Sequence, residues 1–159
     1  MEAINLKNKY RMTSVQRTFA QRTTAVQELT PYGTNTNSTT FIDLVIDPVY
    51  TTVFNVDVRN VTPWNRGSDD NLQLFNIVYD QTIAAKYPGL EFTVFFDSYK
   101  GTLPTGTKVS IKTPDQQDAI ESHYPFSAVS GSIVQVLSVT LKSNGRVFNV
   151  VSGGPSYWT

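Results

Sequence analysis

From Thr39 to Val151 the chain is a succession of short runs in which apolar and polar residues alternate, each closed by a turn rich in Gly, Pro, Asn or Asp. Alternation of period two buries one face of a strand, and turns at this spacing leave no room for long helices. The run YTTVFNVDVRNV is the clearest: Phe54, Val56 and Val58 share one face, Asn55, Asp57 and Arg59 the other. In NLQLFNIVYD, Leu72, Leu74 and Asn76 oppose Phe75, Ile77 and Tyr79; in KYPGLEFTVFFD, a Pro88-Gly89 turn precedes Leu90, Phe92, Val94 and Phe96. TTFIDLVI, TKVSIKT and FSAVSGSIVQVLSVTL bring the count to seven or eight strands. The expected fold class is all-β: a single jelly-roll-like antiparallel β-sandwich with an N-terminal arm and one short helix. An immunoglobulin-like sandwich fits less well, because the cysteine pair and the central tryptophan spacing are missing.

The short helix is expected in TPDQQDAIESH, with Thr113 as N-cap and Pro114 at the first helical position, ended by Tyr124-Pro125. After it, VTLKSNGRVFNVV, residues 139–151, reads as a β-hairpin at the closing edge of a sheet. Asn144-Gly145 is the pair that a two-residue type I′ turn requires, since both central residues then take positive φ. Val139 and Leu141 before the turn, and Val147 with Asn149 after it, are expected in register.

Residues 1–38 differ in texture and are expected to form an N-terminal arm and linker, with the sandwich domain spanning 39–159. In SVQRTFAQRTTAVQEL, Val15, Phe19, Val26 and Leu29 recur at helix-like spacings after Ser14, although a cluster of threonines weakens an amphipathic helix. PYGTNTNSTT is a polar linker. Lys7, Lys9, Arg11, Arg17 and Arg22 outnumber Glu2 and Glu28 by three in this segment, while the whole chain is neutral. That excess is far below what an arm neutralising many phosphates carries, which argues against nucleic acid as a partner.

A chain of 159 residues suits one domain able to bury a core unaided. It has no cysteine, which excludes disulfides, thiolate metal sites and thiol nucleophiles, and its single histidine excludes a multi-histidine metal site. No run approaches the roughly 20 apolar residues of a membrane-spanning helix, and MEAINLKNKYRM lacks the apolar core of a signal peptide. His123 has no nucleophile signature such as G-x-S-x-G beside it, and no glycine-rich phosphate loop follows a strand. No catalytic residue, cofactor or metal ligand is therefore assigned. Asn65, Asp69, Asp70 and Asn71 offer oxygen ligands suited to calcium but lack the spacing of a calcium loop, and such clusters are ordinary turn chemistry.

SVTLKSNGRVFNVVSG, residues 138–153, is similar to the closing hairpin of many virion proteins of tailed and membrane-containing bacteriophages, and YPGLEFTVFFDS and LPTGTKVSIKT resemble the strands that precede it. The resemblance covers about half the chain and implies a virion structural protein: capsid, penton or vertex, minor capsid or decoration. The expected partners are copies of the chain and other virion proteins, and the expected interface residues are Val15, Phe19, Val26, Leu29, Tyr157 and Trp158. The alternative is a carbohydrate- or receptor-binding module of a spike or fibre, with Trp64, Asn65, Asp69 and Asp70 as its binding loop and Tyr87 and Tyr124 as further loop aromatics. A third reading, a hydrolase, survives only because a pair of catalytic carboxylates leaves no mark in sequence.

Overall fold

The computed structural model describes residues 26–97, 103–104, 107–121 and 136–153. The strands in chain order are β1 (Gln27–Leu29), β2 (Gly33–Thr34), β3 (Ile42–Val45), β4 (Val53–Asp57), β5 (Val61–Thr62) and β6 (Trp64–Gly67). They continue with β7 (Asp70–Val78), β8 (Glu91–Asp97), β9 (Thr107–Thr113), β10 (Gln116–Glu121), β11 (Val136–Ser143) and β12 (Phe148–Gly153). Among the described residues one helix, α1 (Thr82–Lys86), lies between β7 and β8, and one 3-10 turn occupies Val58–Asn60.

The strands form two five-stranded mixed sheets and a small ribbon of β2 and β5. In the first sheet the order is β1-β4-β8-β11-β12; in the second it is β10-β9-β7-β3, with β6 also paired to β7. β1, β4 and β8 are mutually parallel, as are β3, β7 and β9. The chain crosses from one sheet to the other between these strands, so that each return lays a new strand beside the previous one and in the same direction. The result is a coil of strand pairs. Antiparallel pairing enters at three places: the β6–β7 hairpin, β10 folding back on β9, and the β11–β12 hairpin, which adds to β8.

This winding overturns the antiparallel jelly roll expected from the sequence. Alternation reports that one face of a strand is buried, and it does so equally for a strand that pairs with its predecessor and for one that crosses the core to face it. Phe54, Val56, Phe92, Val94, Phe96, Val139, Leu141 and Phe148 of the first sheet meet Leu44, Phe75, Ile77, Val109 and Ile111 of the second in one core. Phe75 and Phe96 touch across the interface with ring centroids 5.3 Å apart. Phe92 stands edge-on to Phe54, Tyr79 and Phe148 at 6.2, 5.8 and 5.1 Å, a geometry that adds about 0.5–1.5 kcal/mol per pair to the burial itself.

Two further expectations are corrected. Thr113 and Pro114 do not start a helix; they end β9 and enter the turn to β10. Proline after a polar residue suits the second position of a β-turn as well as the first turn of a helix, and the buried Thr113 continues the strand alternation. Of the segment whose helix-like spacings stood against a cluster of threonines, Gln27–Leu29 forms a strand and the residues before Val26 lie outside the described residues; the helix found among the described residues, TIAAK, carries no strong signal in the sequence. The closing hairpin exists and β12 is the edge of its sheet, but its loop is longer than a type I′ turn. Ser143 pairs with Phe148, Gly145 alone of the Asn-Gly pair has positive φ, and the Asn144 Oδ1 accepts hydrogen bonds from the Arg146 and Val147 amides at 2.9 and 3.0 Å. Phe148 is consequently buried, Val150 packs partly against the core, and Val147 is exposed.

Polar side chains hold the frame where strands cannot pair. Leu74 lies between the part of β7 that pairs with β6 and the part that pairs with β3. There the buried Asn35 takes the place of a strand: its Oδ1 accepts the Leu74 N–H at 3.1 Å and its Nδ2 donates to the Leu74 carbonyl at 3.3 Å. Gln73, fully buried, donates from Nε2 to the carbonyls of Val58 and Val61 at 2.9 and 2.6 Å, closing the 3-10 turn. Both satisfy backbone groups that would otherwise lie buried without partners.

Candidate functional site

The residues expected to form a binding loop lie along the β6–β7 hairpin. Trp64 is a half-buried strand residue paired with Leu72, and Asn65 is exposed, its Oδ1 accepting the Gly67 amide at 3.0 Å. Asp69 occupies the left-handed position of the turn with φ 54°. Asp70 is bridged by Arg66 at 2.9 Å and Lys108 at 3.4 Å, and the Arg66 hydrogen bond leads the causes that hold its carboxyl below the usual range. Two cations thus occupy the carboxylate that calcium would need. Among the described residues no group of three His, Cys, Asp or Glu side chains is placed to hold a metal ion.

Of the expected interface residues, Val15, Phe19, Tyr157 and Trp158 lie outside the described residues, as do His123 and Tyr124. Val26 is exposed immediately before the edge strand β1, and Leu29 packs against the protein's own core. No helix among the described residues is long and apolar enough to cross a membrane.

The parallel pairing of β3 and β7 has a consequence for surface chemistry. Loops leaving two parallel neighbours emerge at the same end, so the turn after β3 and the segment after β7 lie side by side. The first is anchored by the Ile46 amide on the Val78 carbonyl at 2.9 Å, and the Asp47 Oδ1 accepts the Val49 amide at 3.0 Å. The second begins with Asp80, whose Oδ1 accepts the Thr82 amide and hydroxyl at 2.9 and 2.7 Å. These bonds, the hydroxyl first, hold the Asp80 carboxyl below its ordinary range. α1 follows and is pinned to β11 by the Ser143 hydroxyl, which donates to the Ala84 carbonyl at 2.5 Å.

Between the two loops lies an open depression of about 410 Å³. It is lined by Tyr50 and Tyr87, by the acidic Asp47 and Asp80, by Lys86 and by the buried Ile83. Sequence reasoning had placed Tyr87 among loop aromatics but missed Tyr50, Asp47, Asp80 and Lys86. Their juxtaposition depends on the parallel register of Asp43 with Asn76 and Val45 with Val78, which no local pattern announces.

A buried tyrosine lies nearby without suiting catalysis. The Tyr79 hydroxyl donates to the Asp115 Oδ2 at 2.7 Å, and the same oxygen accepts the Phe148 amide at 3.1 Å. Burial first, then the Asp115 hydrogen bond, pushes the Tyr79 phenol far above its ordinary value, so it stays neutral and acts as a clamp between β7, the β9–β10 turn and β12. No known family model matches the chain, and no curated protein or solved structure matches it.

Proposed function

We propose that this chain is a structural protein of a virion, a capsid, vertex, minor capsid or decoration component, and that it assembles with copies of itself through the outer edge of β12. That strand ends the first sheet, and Phe148–Gly153 contains neither a charged residue nor a proline. Proteins that must stay monomeric ordinarily block an edge with one or the other. Val151 on this strand is about half exposed. An edge of this kind accepts a strand from a second chain through backbone hydrogen bonds, with side chains setting the fit. The supporting observation is a coincidence of position: the strand that ends the first sheet among the described residues is the one whose sequence resembles the closing hairpin of bacteriophage virion proteins.

Light scattering over a concentration series tests the reading. The expected result is a defined oligomer for the intact chain and a shift to monomer for Val151→Lys, with an unchanged circular dichroism spectrum. An intact chain that stays monomeric at every concentration, or an oligomer indifferent to the added charge, would overturn the β12 interface.

A further inference from the structure

We propose that the depression between the β3–β4 turn and α1 is a binding site for a neutral saccharide, a function independent of the assembly described above. Its volume of about 410 Å³ falls within the roughly 300–1,000 Å³ usual for small-ligand sites. Tyr50 is 57% exposed although it lines the depression, and it makes no ring contact with another aromatic among the described residues. A sugar presents a patch of C–H groups that packs on such a ring, with hydroxyls around the rim that both donate and accept.

The polar groups match that mixture. Asp47 and Asp80 each use one carboxylate oxygen, Oδ1, in a local turn hydrogen bond, leaving Oδ2 as an acceptor for sugar hydroxyls. Lys86 has no ion pair within 4.0 Å among the described residues and supplies donors. An organic cation would also be drawn to tyrosines and carboxylates, but Lys86 on the same wall opposes it. An anionic ligand meets two carboxylates. A neutral polyhydroxylated ring is the class that uses every group present.

The site is held by backbone bonds rather than by the ligand. Ile46 is tied to Val78, Tyr87 donates its amide to the Ile83 carbonyl at 3.0 Å, and Ser143 pins α1. Exposed side chains can therefore be changed without disturbing the frame.

The test uses isothermal titration of the intact chain with mono- and disaccharides of glucose, galactose, mannose and N-acetylglucosamine, with tetramethylammonium as the cation probe. The proposal expects binding of at least one sugar, weakened roughly tenfold or more by Tyr50→Ala and reduced by Lys86→Met, while Trp64→Ala binds as the unmodified chain does. Near-ultraviolet circular dichroism verifies that each variant is folded. No heat with any of these sugars, sugar binding that persists in both site variants, or binding of tetramethylammonium in preference to sugar would each overturn it.

Discussion

Asn35 shows how much of this fold rests on single polar side chains. It is 2% exposed and joins three places: its amide donates to the Thr62 carbonyl at 2.9 Å, its Nδ2 to the Thr40 carbonyl at 2.5 Å, and it bonds both backbone groups of Leu74. Asn35→Ala should lower unfolding free energy by about 1–3 kcal/mol, because the Leu74 N–H and carbonyl lose partners in a site with little access to water. Urea denaturation followed by fluorescence measures the loss, and a change within experimental error would show that water substitutes for the amide. Tyr79 makes a second prediction, on pH. Its folded-state pKa lies above the ordinary 10.0, so the folded chain keeps this proton where the unfolded chain releases it. The contribution is fully present below pH 10 and declines as pH rises beyond it. Tyr79→Phe should flatten this alkaline decline while costing about 0.5–1.5 kcal/mol at neutral pH for the lost hydrogen bond to Asp115. Denaturation curves at neutral pH and above pH 10 separate the two effects, and an unaltered alkaline slope would assign the decline to other groups.

Among the elements, the β11–β12 hairpin carries the clearest test. Gly145 has φ 93°, and a Cβ there would meet Pro88 at 3.8 Å, an ordinary contact, so the penalty for a side chain is backbone strain alone. Gly145→Ala should therefore destabilise by roughly 1–2 kcal/mol without altering the core, as read by thermal melting. A melting temperature equal to that of the unmodified chain would mean that the loop relaxes to another turn. This hairpin also marks the limit of what the chain reveals about itself. Its existence was legible from Asn144-Gly145 between alternating residues. Its register was not, because the run VFNVV offers apolar residues to both faces, and the Asn144 side chain selects a longer loop by capping two amides. The buried faces of β4 and β8 were equally legible in Phe54, Val56, Phe92, Val94 and Phe96. The parallel order of those strands was not, since it depends on where the intervening chain crosses the core. For the same reason Tyr50 and Asp80, well separated along the chain, could not be seen as neighbours.

At the scale of the whole molecule the coil makes nearly every important contact non-local. Phe54 pairs with Val94, Ile42 with Phe75 and Asn71 with Thr107, each across a segment that must visit the opposite sheet before returning. Neither sheet can be completed first, because β4 separates β3 from β7 along the chain and β7 separates β4 from β8. Loop closure must precede the burial that rewards it, and this places the entropic cost before the transition state. Refolding after dilution from urea should accordingly take milliseconds to seconds, in the range of all-β domains rather than helical bundles. Stopped-flow fluorescence measures this rate, and completion within microseconds would mean that a smaller local unit nucleates the fold. The site of the nucleus follows from the same geometry. β7 is paired with β9 on one edge and with β6 and β3 on the other, and Phe75 at its centre reaches Phe96 across the core. Phe75→Leu should therefore slow refolding, whereas Val150→Ala on the terminal strand should chiefly accelerate unfolding, because that edge joins after the coil has closed.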